Sequence, residues 1–100
     1  MRTPIEDLRK SVDSFADEMM GQLVANRGKG HWADCPSHFL IDELNKNLNY
    51  LAASVEEGDK DTVRRRAANV ANFAMMIADN RDKQWGYDER DKQPTPQEAP

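Results

Sequence analysis

Apolar residues recur along this chain at helical intervals, and their pattern divides it into three segments. The first carries Leu8, Val12, Phe15, Met19, Leu23 and Val24, a run of threes and fours that predicts an amphipathic helix. Thr3-Pro4-Ile5-Glu6 supplies a start, with Thr3 as N-cap, Pro4 in the first turn and Glu6 three residues after the cap. That helix is expected to end near Asn26, before Gly28 and Gly30. Residues 27–36 then form a loop ended by Pro36. A second stripe of Phe39, Leu40, Leu44, Leu48, Leu51 and Val55 predicts a helix from about Ser37 to Glu57, stopped by Gly58. Asp59 or Asp61 can cap a third, whose apolar positions are Val63, Ala67, Val70, Phe73, Ala74 and Ile77. Strict alternation is absent and β-branched residues are few, so no strand is expected.

The apolar pattern stops at Arg81. The expected organisation is a helical domain over 1–80 and a flexible tail over 81–100, whose Gln93-Pro94-Thr95-Pro96 end has nothing to bury. Trp85 and Tyr87 precede that end and have no assigned role. One hundred residues with 38% apolar content make a single small domain with a limited private core. Self-association is the usual way for such a chain to gain buried surface, which points to a homo-oligomer, dimer or tetramer.

Net charge is −4, which argues against a general nucleic-acid coat or a membrane-surface protein. No apolar run approaches about 20 residues, the length that spans a bilayer. The polar, acidic N-terminus does not read as a signal peptide, and a single cysteine, Cys35, excludes an internal disulfide and fits a reducing compartment. A cytoplasmic location is expected.

Polar residues among the apolar ones carry the candidate chemistry. Leu44-Asn45-Lys46-Asn47-Leu48-Asn49-Tyr50-Leu51 and Arg66-Ala67-Ala68-Asn69-Val70-Ala71-Asn72 place Lys46, Asn47, Tyr50, Arg66, Asn69 and Asn72 beside the apolar stripes. Cations, amides and a phenol hold an anion and chelate a divalent metal poorly. The loop Asn26-Arg27-Gly28-Lys29-Gly30-His31-Trp32 adds Lys29 for phosphate and Trp32 for stacking on a base. The plainer reading of each residue alone is a solvated flank, a satisfied core-edge amide or a tryptophan plugging the core. His31, Asp34, Cys35 and His38 have no well-formed zinc spacing, and Cys35 has no evident orienting group for a nucleophile. Arg64-Arg65-Arg66 reads as a solvated basic face and the methionine pairs as core filler.

Phe15-Ala16-Asp17-Glu18-Met19, the Lys29-Gly30-His31-Trp32 loop and Asn69 through Asp79 (Asn-Val-Ala-Asn-Phe-Ala-Met-Met-Ile-Ala-Asp) resemble MazG-like proteins. These are all-α nucleoside-triphosphate pyrophosphohydrolases, many of them from phages and bacteria. The resemblance covers about residues 12–80. It implies an all-α, three-helix MazG-like module completed into a four-helix-bundle-type core by oligomerisation, in the host cytoplasm if phage-encoded. In that family, Glu-Glu-x-x-Glu and Glu-x-x-Asp on the second and third helices bind the magnesium that activates the attacking water. The apolar register sets Lys46, Asn47, Tyr50, Arg66 and Asn69 at those five positions. Five negative charges give way to two positive ones, which removes the metal chemistry and keeps an affinity for phosphate.

The resemblance therefore implies a catalytically inactive relative that binds a nucleotide or nucleotide-derived signal and keeps it intact, without cofactor or metal. In its sharpest form this is a phage counter-defence sponge for a cyclic oligonucleotide. Two alternatives stand beside it. One is a protein-binding module or inhibitor with a vestigial pocket. The other is a magnesium-dependent pyrophosphohydrolase rearranged around Asp42, Glu43 and Asp79.

Overall fold

The computed structural model describes the backbone of residues 3–92 and side chains as far as Arg81. Three helices, α1 (Ile5–Ala25), α2 (Ser37–Glu57) and α3 (Lys60–Lys92), account for nearly all of it, with a 3-10 turn at Arg27–Lys29. No strand occurs among the described residues.

The helix starts differ from the sequence expectation at one end. Pro4, with ψ 145°, occupies the N-cap of α1 and no side chain caps it. An extended ψ at Pro4 delays the first helical turn, so Thr3 falls one residue outside the reach of a cap. The Pro4 carbonyl accepts from the Asp7 and Leu8 amides at 3.1 and 3.2 Å instead. Pro36, ψ 148°, does the same before α2. At the other end of α2, Gly58 closes the helix in the left-handed region with φ 80°, its amide donating to the Ser54 carbonyl at 2.9 Å. Of the two aspartates able to cap α3, Asp59 does so. Its carboxylate accepts from the Thr62 hydroxyl at 2.6 Å and from the Thr62 amide at 3.4 Å. Those bonds hold the Asp59 carboxyl below its ordinary value of 3.8, the Thr62 hydroxyl contributing most.

Two residues of turn between α2 and α3 force an antiparallel hairpin. Leu40 and Ser54 of α2 and Ala68 of α3 are fully buried, and the small Ser54 and Ala68 let backbones approach. α3 is the hub. α2 packs along it, α1 packs on it separately, and no Cα of α1 lies within 8 Å of α2 among the described residues. Arg64 fixes α1 by donating to Glu18 at 3.2 Å and to the carbonyl and hydroxyl of Ser14 at 2.9 Å each. Asn72, buried, adds a bond to the Met19 carbonyl at 3.0 Å. From Thr3 to Asp13 every residue is exposed, so α1 stands clear of the hairpin until Ser14 meets Arg64.

Only Leu40 and Ala68 are buried apolar residues among those described. The radius of gyration is 16.8 Å, against about 13 Å for a compact chain of this length. α3 continues through position 81, where the apolar pattern stops, to Lys92. Straight-chain Lys, Gln, Glu and Arg lose little rotamer freedom in a helix, so the backbone does not need an apolar face to propagate. Trp85 and Tyr87 fall on this stretch with side chains outside the described residues, as do residues 93–100 of the expected tail.

Candidate functional site

The antiparallel hairpin sets Tyr50 opposite Arg66. The guanidinium carbon of Arg66 sits 5.1 Å from the centre of the Tyr50 ring, and its Nη1 donates to the Tyr50 carbonyl at 2.9 Å. Ser54 sends its hydroxyl to the same carbonyl at 2.9 Å. A serine or threonine bonding back to the preceding turn tilts that carbonyl outward, which presents it to α3. One hydrogen bond accounts for one of the five guanidinium N–H donors.

Asn47 and Asn69 each lie one turn along from this pair, on the same faces as Tyr50 and Arg66 respectively, since residues three apart are helix neighbours. Asn47 donates to the Glu43 carbonyl at 2.8 Å, which uses one of the two N–H donors of its amide. Lys46, four residues before Tyr50, forms an ion pair with Glu43 at 3.3 Å. The sequence reading counted two positive charges here; Glu43 reduces the local balance to one. Because Lys46 is exposed, that pair is worth only about 0–1 kcal/mol and yields readily to a stronger anion.

Tyr50 and Arg66 are thus in contact, and helical spacing puts Lys46, Asn47 and Asn69 within about one turn of them. Tyr50 is 48% exposed, so the pair lies on an open face rather than in an enclosed pocket. Among the described residues no three His, Cys, Asp or Glu side chains gather closely enough to hold a metal ion. Asp42 and Glu43 in particular do not meet Asp79, which is engaged elsewhere.

The structure does not bring Asn72, Lys29 or Trp32 to this face. Asn72 turns to α1, where it ties two helices. Lys29 is exposed on the 3-10 turn. Trp32 docks on the far half of α3, its Nε1 donating to Asp79 at 3.0 Å, with His31 stacked on it at 4.0 Å between ring centres and 21° between planes. Arg66 and Asp79 are 13 residues apart on one helix, about 20 Å at 1.5 Å per residue. A single mononucleotide phosphate held by Arg66 therefore leaves Trp32 out of reach of its base.

Two residues that the sequence reading did not assign to the loop hold it. Besides Asp79, the buried Asn80 donates to the Trp32 carbonyl at 2.9 Å and, more weakly, to the Cys35 carbonyl at 3.4 Å. The signal was present as an amide two residues past a long uncharged run, where a buried amide must find partners on another segment. The side-chain oxygens of Asn72 and Asn80 are buried without a partner. No protein family, curated protein or solved structure matches this chain.

Proposed function

We propose that this protein holds a phosphate-bearing ligand, a nucleotide or nucleotide-derived signal, on the α2–α3 face without cleaving it, as an inactive MazG-like protein. The observation that carries the reading is the Arg66–Tyr50 arrangement. A guanidinium steadied over an aromatic ring keeps planar donors for a phosphate, with Lys46 adjacent and the Asn47 and Asn69 amides one turn away. With no carboxylate cluster on that face, the residues give magnesium nothing suitable to bind, which weighs against the pyrophosphohydrolase alternative. The phosphate is the recognised group; base selection falls to residues other than Trp32.

Calorimetry and native mass spectrometry against nucleoside mono-, di- and triphosphates and cyclic oligonucleotides test this. A micromolar binder recovered intact after incubation with magnesium is expected, its affinity about 10- to 100-fold lower for Arg66→Ala, as loss of a charge-assisted hydrogen bond predicts. Absence of any such binder, or release of pyrophosphate, removes the proposal.

A second reading, a protein-binding module, draws on the many exposed apolar side chains, among them Ile5, Val12, Met20, Phe39 and Val55. A stoichiometric partner retained by Lys46→Ala and Arg66→Ala selects it over the first. Completion of the helical core by a second copy is compatible with either.

A further inference from the structure

Ile41, Leu44, Leu48, Leu51 and Val55 succeed one another on α2 at intervals of three, four, three and four, the spacing of a coiled-coil seam. Within the chain this seam is left largely open. Ile41 is 44% exposed, Leu48 46% and Val55 62%, with Leu44 and Leu51 half-buried. α3 instead takes the adjacent face, through Leu40 and Ser54, and no Cα of α1 comes within 8 Å of α2.

We infer that this seam is the surface on which two copies of the chain pair, α2 against α2, about a two-fold axis near Leu48. Three observations select a second copy as the occupant. The seam has a heptad period, which only another helix with the same period can follow along its length. Of the positions that flank it, Leu40 and Ser54 are covered by α3, and the exposed Asn45 and Ala52 carry no charge, so the stretch meets itself without like-charge repulsion, and Ala52 permits close approach. The same flanks offer no Lys or Arg for an anionic lipid surface.

Among the described residues α1 also has exposed apolar side chains. They are Ile5, Leu8 and Val12 on its N-terminal arm and Met20 and Val24 further along, interrupted by the half-buried Phe15 and Met19. The arm also carries Glu6, Asp7, Arg9, Lys10 and Asp13, so it lacks the uncharged flanks of the α2 seam. The pairing of α2 with its copy is antiparallel. That sense puts Glu56 and Glu57 of one copy at the positive N-terminal end of the other, whereas a parallel pair gathers four glutamates at two negative C-termini.

The surface is isologous: Ile41 of each copy lies towards Val55 of the other, with the two Leu48 side chains near the axis. On α2, Lys46 and Tyr50 lie about 160° around the helix from Leu48, so pairing leaves the anion-binding face open. The inference gives the self-association proposed above a surface and is independent of the ligand reading.

Sedimentation over about a hundredfold range of concentration, with the full chain, shows a reversible dimer. Leu48→Asp shifts it to monomer, and Ala53→Asp, the same charge on the opposite side of α2, leaves it unchanged. Disulfide trapping in a Cys35→Ser background reads the geometry in the folded protein even if Leu48→Asp does not fold. Leu48→Cys links to itself, Ile41→Cys does not, and a mixture of Ile41→Cys with Val55→Cys forms the heterodimer. A monomer throughout overturns the self-association as a whole. A dimer indifferent to Leu48→Asp, or a Val12→Cys to Leu48→Cys link in place of the self-link, overturns the seam alone. Neither result bears on ligand binding, which is measured separately through Arg66→Ala.

Discussion

Replacing Asn80 by aspartate removes a hydrogen-bond donor with almost no change of shape, and its cost follows from the surroundings of the side chain. Asn80 is 3% exposed and donates to the Trp32 carbonyl at 2.9 Å. An ionised aspartate there has no proton to give, and its oxygens face two carbonyl oxygens, those of Trp32 and Cys35. The lost bond is worth about 1 kcal/mol, and an uncompensated buried charge costs about 3–5 kcal/mol. A small domain has only about 5–15 kcal/mol in total. A loss of 3 kcal/mol lowers Tm by roughly 12–24 °C at this size. The loop can limit the loss by undocking, in which case the half-buried Cys35 becomes quicker to alkylate while the helices persist.

The pH dependence gives the argument its sharpest check. Burial and the neighbouring carbonyls raise the pKa of the introduced carboxyl above its unfolded value of about 3.9. Below that value the acid is protonated in both states, and its hydroxyl donates to the Trp32 carbonyl as the amide did. The deficit is therefore smallest in acid and grows as pH rises through the folded pKa. Thermal unfolding of Asn80→Asp and the parent side by side, from about pH 4 to pH 7, measures it. A Tm at neutral pH within about 3 °C of the parent, or a deficit that does not change with pH, would falsify the assignment of Asn80 as a buried donor.

Two further outcomes follow from the ends of α2 and α3. The Asp59 carboxyl is held low by Thr62, so the stability it adds is fully present above 3.8 and disappears as pH falls through its lower folded value. Carbon-detected NMR titration should place its midpoint below 3.8, and the Tm difference from Asp59→Asn should shrink in acid; a midpoint at or above the ordinary value contradicts the cap. Gly58→Ala meets no atom within 4 Å but must keep φ 80°, so it should cost about 1 kcal/mol and lower Tm by about 4–8 °C. No change in Tm contradicts the left-handed C-cap.

The helices were legible because apolar spacing and turn chemistry agree with each other. α2 runs from Ser37 to Glu57 as its stripe and Gly58 required. What local pattern leaves open is which of two neighbouring groups wins. Thr3 was a sound capping residue, but the ψ of Pro4 decided where the turn began. Either Asp59 or Asp61 suited α3, and the Thr62 hydroxyl resolved the choice.

The candidate site was legible in part for a similar reason. Intervals of three and four bring Lys46, Asn47 and Tyr50 onto one face of α2, and Arg66 and Asn69 onto one face of α3. A two-residue turn then sets the two faces together. Asn72 and Trp32 were misplaced because their partners, Met19 and Asp79, are about fifty residues away in sequence, and nothing local marks such pairs. Glu43, three residues before Lys46 and its counter-charge, lies outside the five positions at which the resemblance places carboxylates, so those positions alone do not disclose it.

The contact between Arg66 and Tyr50 gives the guanidinium a resting place of its own. It leans on a ring and on a carbonyl that the helix and Ser54 already use, and the single bond to that carbonyl leaves further N–H donors of the guanidinium for another partner. On the proposed reading, an anion met by those remaining donors would leave the contact in place, whereas one that drew Arg66 away would have to exceed what the ring and the carbonyl supply. A ligand with two or more phosphate oxygens in the plane of the guanidinium would meet that demand, and weak, scattered anions would not.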